Sequence, residues 1–247
     1  MSSGIPVPAG EVDDTRPLQF FYIVDYSGSM AGTKIAKVNA AIREAIPAVI
    51  SAVSSHPNVS IMVRAIKFSN TASWHVGPEP VPINEFKWPE LSVEGATSTA
   101  QAINLLASEL TLEKMPKRGF PPVCILISDG CCSEPNSVYE TAIKNLLDLP
   151  WGKKAVRLAI GVGKSGGENG YDEKALLKFV SQKEVGVLDA DSPEKLKDYI
   201  VWASVTASVS SSSGKSADNI GVSSGQAVVM PAPPNFPNVS PGDSEVF

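Results

Sequence analysis

The sequence predicts a doubly wound α/β domain, with a mostly parallel sheet, one short antiparallel edge strand and helices on both faces. Three observations predict it. First, four apolar runs, LQFFYIV (18–24), VSIMVRAIKF (59–68), VCILIS (123–128) and VRLAIGV (156–162), have the length and residue types of strands. Second, LQFFYIV and VCILIS lack the apolar–polar alternation of a half-exposed sheet, as strands buried on both faces should. Third, segments with apolar residues three and four positions apart separate these runs. Strand alternating with helix implies right-handed crossovers and a parallel sheet.

The elements follow in order. After the first strand, residues 33–53 read as a helix with Thr33 as its N-cap, because Ile35, Val38, Ile42, Ile46 and Val49 form one apolar stripe. Pro47 lies inside it and predicts a kink or an early end. The strand at 59–68 leads through Ser69-Asn70 to a short antiparallel neighbour, TASWHV (71–76), and the proline-rich segment 77–95 reads as an irregular connection. A helix is expected over 98–110, on Ala102, Ile103, Leu105, Leu106 and Leu110. After the strand at 123–128 come a helix over 137–149, the strand at 156–162, a helix over 172–180 and a short strand, EVGVLDA (184–190). Ser192-Pro193 opens the last helix, serine as N-cap and proline at the first helical position, running to about Ser204. The domain thus spans 17–205, behind an N-terminal extension of 1–16. The remainder, 206–247, is rich in Ser, Gly and Pro and too poor in apolar residues for a core, so it is expected to be disordered, with AVVM (227–230) as a short docking candidate.

Composition narrows the function classes. The formal net charge is −5 with no basic run of five or more, which argues against nucleic acid or anionic membrane as the main partner. MSSGIPVPAGEVDDTR lacks the apolar centre of a signal peptide, and no apolar stretch reaches the length of a membrane span. The three cysteines, Cys124, Cys131 and Cys132, have no framework spacing, as in a reducing compartment, so a cytosolic location is expected.

The functional information lies at strand ends, since ligands of open parallel sheets bind beyond the carboxyl ends of the strands. In FYIVDYSGSM the first strand delivers Asp25, Ser27 and Ser29, with Gly28 allowing a sharp turn between the serines. EGATST delivers Thr97 ahead of a helix, and ILISDG delivers Asp129. Two carboxylates and three hydroxyls form an all-oxygen set suited to a hard divalent cation, Mg²⁺, Mn²⁺ or Ca²⁺. Weak hydroxyl ligands leave such an ion water-filled positions, one of which a partner's carboxylate can take.

These motifs resemble the von Willebrand factor type A (VWA) domain with a metal-ion-dependent adhesion site. The family pattern is an apolar strand, Asp-x-Ser-x-Ser, a distant Thr in a Gly-x-Thr context and an Asp-Gly after another apolar strand. DYSGSM, EGATSTAQAI and ILISDG supply these parts in order. The resemblance implies a Rossmann-like fold, a metal held by Asp25, Ser27, Ser29, Thr97 and Asp129, direct contact by Thr97 varying with ligand occupancy, and a binding role without enzymatic activity. RPLQFFYIVDYSGSM and VNAAIREAIPAV are most similar to bacterial intracellular VWA proteins of the TerY type, which implies a tellurium-resistance, stress or defence setting with a protein kinase and a metal-dependent phosphatase as partners. The tail, 206–247, has no cysteine, so the cysteine-rich C-terminal module of some TerY-type proteins is not expected in it. With a kinase as partner, the Ser-rich tail, Ser240-Pro241 included, becomes a candidate phosphorylation region.

Rival readings are weaker on chemical grounds. A haloacid-dehalogenase-like phosphotransferase also starts from a strand-end aspartate, but its Asp-x-Asp needs a second carboxylate for proton transfer, and Ser27 stands there. A Ser-His-Asp hydrolase has no Gly-x-Ser-x-Gly elbow, and His56 and His75 lie early in the chain. GVGKSG (161–166) is not a phosphate loop, because Leu158 stands where that loop needs glycine; it reads as a plain loop at the sheet's carboxyl edge. Cys131 and Cys132 read as free loop thiols and Trp74, Trp88 and Trp151 as cover for the core.

Overall fold

The structure is a computed structural model that describes residues 15–56, 58–165, 170–213 and 231–234. Its elements are β1 (Arg16–Asp25), a 3-10 turn (Gly28–Met30), α1 (Thr33–Val53), β2 (Val59–Phe68), β3 (Ala72–Pro82), α2 (Thr99–Glu109), β4 (Val123–Ser128), α3 (Asn136–Asp148), α4 (Pro150–Lys154), β5 (Val156–Val162), α5 (Glu173–Leu177), β6 (Val187–Ala190) and α6 (Pro193–Ser213). The strands form one sheet in the order β3-β2-β1-β4-β5-β6. Only β3 runs antiparallel to its neighbour. This is the predicted doubly wound α/β architecture.

Side-chain alternation along β1 builds both cores. Leu18, Phe20, Tyr22 and Val24 face one layer, which α1 and α6 cover. Phe21 and Ile23 face the other, with apolar residues of α2, α3 and α5. The chain winds outward from β1 to β2 and β3, then returns to β4 on the other side of β1. Strand order therefore reverses between β1 and β4, and the crevice at their carboxyl ends is the ligand position of such sheets. The register brings Val24 opposite Ile127, so the residues following both strands emerge at one level.

Several elements depart from the sequence reading. Thr33 is the first helical residue of α1 rather than its cap; Gly32 holds the cap position at φ 73°, a conformation that favours glycine. The helix continues through Pro47 to Val53. Pro47 and Arg43 are both exposed, so the carbonyl that loses its intrahelical donor can be hydrated. The antiparallel strand extends to Pro82, taking in residues expected to be irregular. It is an edge strand, and the Ile83 N–H donates to Ile61 O at 3.0 Å, which puts the missing N–H of Pro82 on the outer side. The helix near 172 covers only Glu173–Leu177, with Asp172 as N-cap accepting the Ala175 N–H at 3.1 Å. The short helix α4 was not expected, and α6 runs on to Ser213, with Ser192 Oγ accepting the Lys195 N–H at 3.2 Å. The expectations for residues 1–14 and most of the tail, AVVM included, lie outside the described residues. Among the described residues no helix is long and apolar enough to cross a membrane.

Candidate metal centre

Asp25 is the last residue of β1 and is fully buried. Its Oδ1 accepts the Ser27 N–H at 2.9 Å, and its Oδ2 accepts the Ser128 hydroxyl at 2.6 Å. The 3-10 turn that follows brings Ser27 and Ser29 together, their Oγ atoms 3.1 Å apart. Met30, 0% exposed, anchors the end of that turn in the core. Ser29 Oγ donates to Asp129 Oδ1 at 3.1 Å, while Asp129 itself is 0% exposed. Oδ1 also accepts the Cys131 N–H at 3.1 Å, and Oδ2 accepts Lys34 Nζ at 2.8 Å.

The Thr97 segment packs on the same loop. The Gly28 N–H donates to Gly95 O and the Glu94 N–H to Tyr26 O, each at 2.8 Å. Gly95 has φ +68°, and a side chain there would run into Asn70, whose Oδ1 accepts the Ala96 N–H at 2.7 Å. Thr97 is buried, its N–H donating to Ser133 Oγ at 3.2 Å while its carbonyl accepts the Ser133 N–H at 2.9 Å. Glu134 then caps α2, its Oε2 accepting the Ala100 N–H at 2.9 Å.

Of the five residues singled out in the sequence, Ser27, Ser29 and Asp129 form a chain of side-chain oxygens. Asp25 joins through the Ser27 N–H and Ser128, and Thr97 is tied in through its backbone. The sequence reading missed Ser128, Lys34, Ser133 and Glu134. Ser128 had a signal, being the hydroxyl of ILISDG between strand and aspartate; the other three act across distances that sequence spacing does not encode.

The electrostatics favour a cation. Burial pushes the Asp25 carboxyl up to about 6, against the pull of hydrogen bonds from Ser128 and Ser27, and Asp129 raises it further. A buried carboxylate so placed gains from a positive charge. Among the described residues no three His, Cys, Asp or Glu side chains gather as ligands. The cluster is instead made of two carboxylates and hydroxyls, which fits a hard divalent ion and not a soft one. The phosphotransferase reading fits poorly, since both Asp25 oxygens already accept hydrogen bonds and Ser27 offers no carboxylate. Cys124 is buried, with burial pushing its thiol up to about 12; Cys131 is exposed, Cys132 half-buried, and all three are free thiols.

A six-stranded, mostly parallel sheet with an oxygen-rich cluster at the β1/β4 switch point defines the class: an α/β domain built to present a polar site at one sheet edge. Solved structures place the fold among VWA domains. A von Willebrand factor type A protein from Catenulispora acidiphila superposes with a TM-score of 0.58 at 16% identity, over 78% of this chain and 43% of that one. The conserved hypothetical protein BatB from Bacteroides thetaiotaomicron gives 0.51 at 14% identity, over 78% of this chain and 99% of that one. Proximal thread matrix protein 1 from the mussel byssus, solved with a zinc occupied metal-ion-dependent adhesion site, gives 0.53 at 18% identity, over 80% of this chain and 47% of that one. The chain thus spans less than half the length of the Catenulispora and mussel proteins. No protein-family model and no curated protein matches it.

Proposed function

We propose that this protein is a metal-dependent protein-binding module without enzymatic activity. In this reading Asp25, Ser27, Ser29, Thr97 and Asp129 hold Mg²⁺ or a similar divalent ion, some directly and some through water, and an acidic side chain of a partner protein completes the shell. The observation that carries the proposal is the linkage of Ser27, Ser29 and Asp129 oxygens beside a fully buried Asp25 at the switch point of the sheet. The zinc in the mussel protein's adhesion site adds support from a neighbour of the same fold. The bound ion would supply Lewis acidity toward the partner's carboxylate. The protein's own part is to fix the two aspartates on rigid strand ends and keep their charges close together.

The bacterial stress or defence setting, with a kinase and a phosphatase as partners, belongs to the same proposal and rests on the TerY-type resemblance. The test is affinity capture from a lysate with wild type and Asp25→Ala, each in Mg²⁺ and in EDTA. Partner recovery should fall at least about tenfold on mutation or chelation, as expected for removing one member of a charged contact. Recovery indifferent to both would overturn the metal-bridged reading.

A further inference from the structure

Lys34 sits in the first turn of α1, and its Nζ stands 2.8 Å from Asp129 Oδ2, the two side chains being 14% and 0% exposed. Asp129 therefore divides its oxygens. Oδ1 takes the Ser29 hydroxyl and faces the oxygen chain, while Oδ2 is committed to the ammonium. The donor set of two carboxylates and three hydroxyls has no place for a lysine, yet this one lays a fixed positive charge on one of its carboxylates. The N-terminal end of α1, from which Lys34 projects, adds partial charge of the same sign.

The charge count gives this contact a consequence. Asp25 and Asp129 contribute two negative charges and Lys34 cancels one, so a divalent ion leaves the cluster with one positive charge in excess. A single incoming carboxylate neutralises that excess. Without the lysine the loaded cluster would already be neutral and would gain little from an anion. Partly buried charges are weakly screened by salt, so the effect persists at physiological ionic strength.

We propose that Lys34 couples the two ligands of this site, an inference that rests on the metal-binding reading above. It weakens the hold on a divalent cation alone and strengthens the hold on the cation together with an anionic group. The module then fills with metal chiefly when an acidic partner is present.

Mn²⁺ titration followed by electron paramagnetic resonance tests this on the full chain, using wild type, Lys34→Met and Lys34→Arg, each with and without acetate as carboxylate probe. Lys34→Met should bind Mn²⁺ at least about tenfold tighter than wild type in the absence of acetate, from removal of one nearby charge. Acetate should tighten Mn²⁺ binding in wild type and in Lys34→Arg, and do so less in Lys34→Met. Circular dichroism establishes that each variant is folded, and Lys34→Gln repeats the measurement should Lys34→Met fail to fold. Equal or weaker Mn²⁺ binding by Lys34→Met overturns the coupling and leaves a lysine that merely orients Asp129. The same tightening in Lys34→Arg overturns it too, because charge is then not the cause. No Mn²⁺ binding by wild type or Lys34→Met, with or without acetate, overturns the metal-binding reading itself, and the coupling with it.

Discussion

Asp25 sets the energetics at the scale of single residues. Burial pushes its carboxyl from an ordinary 3.8 up to about 6 in the fold, so the folded chain holds that proton to higher pH than the unfolded chain does. The sign follows from linkage: this group's contribution to stability is fully present below about pH 4 and is lost as pH rises through about 6. A shift of this size corresponds to on the order of 3 kcal/mol, the cost of keeping an ionised Asp25 buried without a cation. Urea unfolding in EDTA from about pH 4 to about pH 7 should therefore show a loss of stability that Asp25→Asn flattens. Mg²⁺ should restore wild type at neutral pH and leave the variant unmoved. An identical pH profile for the two proteins in EDTA would show that Asp25 is not the group responsible. Ser128 moderates the same cost, since its hydroxyl donates to Asp25 while accepting the Gly130 N–H at 2.8 Å, joining both strand-end loops through one oxygen.

Among elements, the segment that holds Thr97 depends on the loop after β4. Ser133 and Glu134 grip the Thr97 backbone and the start of α2, although they lie 36 and 34 residues away in the chain. Glu134→Ala should cost about 1 kcal/mol through loss of the cap on α2 and should also loosen the Thr97 segment. Thermal unfolding measures the first effect and amide exchange at 97–100 the second; Glu134→Gln, which keeps an acceptor, should lose less. An unchanged melting temperature in Glu134→Ala would mean the cap carries no weight. The same distance explains what could be read in advance. β2, β4 and β5 fall on the limits expected from their apolar runs, because burial dictates both composition and length there. Asp25, Ser27, Ser29 and Asp129 were visible as short motifs of one chemistry at predicted strand ends, and Thr97 as a matching hydroxyl ahead of a predicted helix. Ser133, Glu134 and Lys34 were not, since their neighbours are fixed by sheet order, which the sequence leaves open. The extension of β3 was hidden for a related reason: prolines argue against a strand unless its outer edge is known to be free.

Across the whole molecule, the carboxyl edge of the sheet and its middle have separate roles. The carboxyl edge gathers the loops that follow β1 and β4 and the segment before α2, while the middle of the sheet is tied together by buried pairs. Arg64 Nη1 reaches Glu109 Oε2 at 2.8 Å, for example, and Nη2 reaches Gln19 Oε1 at 3.1 Å, binding α2 to β1 and β2. Binding of a cation should therefore be felt locally. Added Mg²⁺ or Mn²⁺ should slow amide exchange in 25–34, 94–100 and 129–134 and leave the strands' amino-terminal ends unchanged; uniform slowing across the sheet would contradict a site confined to one edge. The flanks of the sheet restrict its assembly. On one side β6 offers four residues, and on the other β3 carries Pro78, Pro80 and Pro82. A neighbouring chain seeking to add a strand beside β3 would meet gaps where donors should be. Growth into a filament by strand addition is thus discouraged at that flank. Under the proposed function, that leaves the carboxyl edge, where Asp25 and Asp129 lie, as the face a partner would meet.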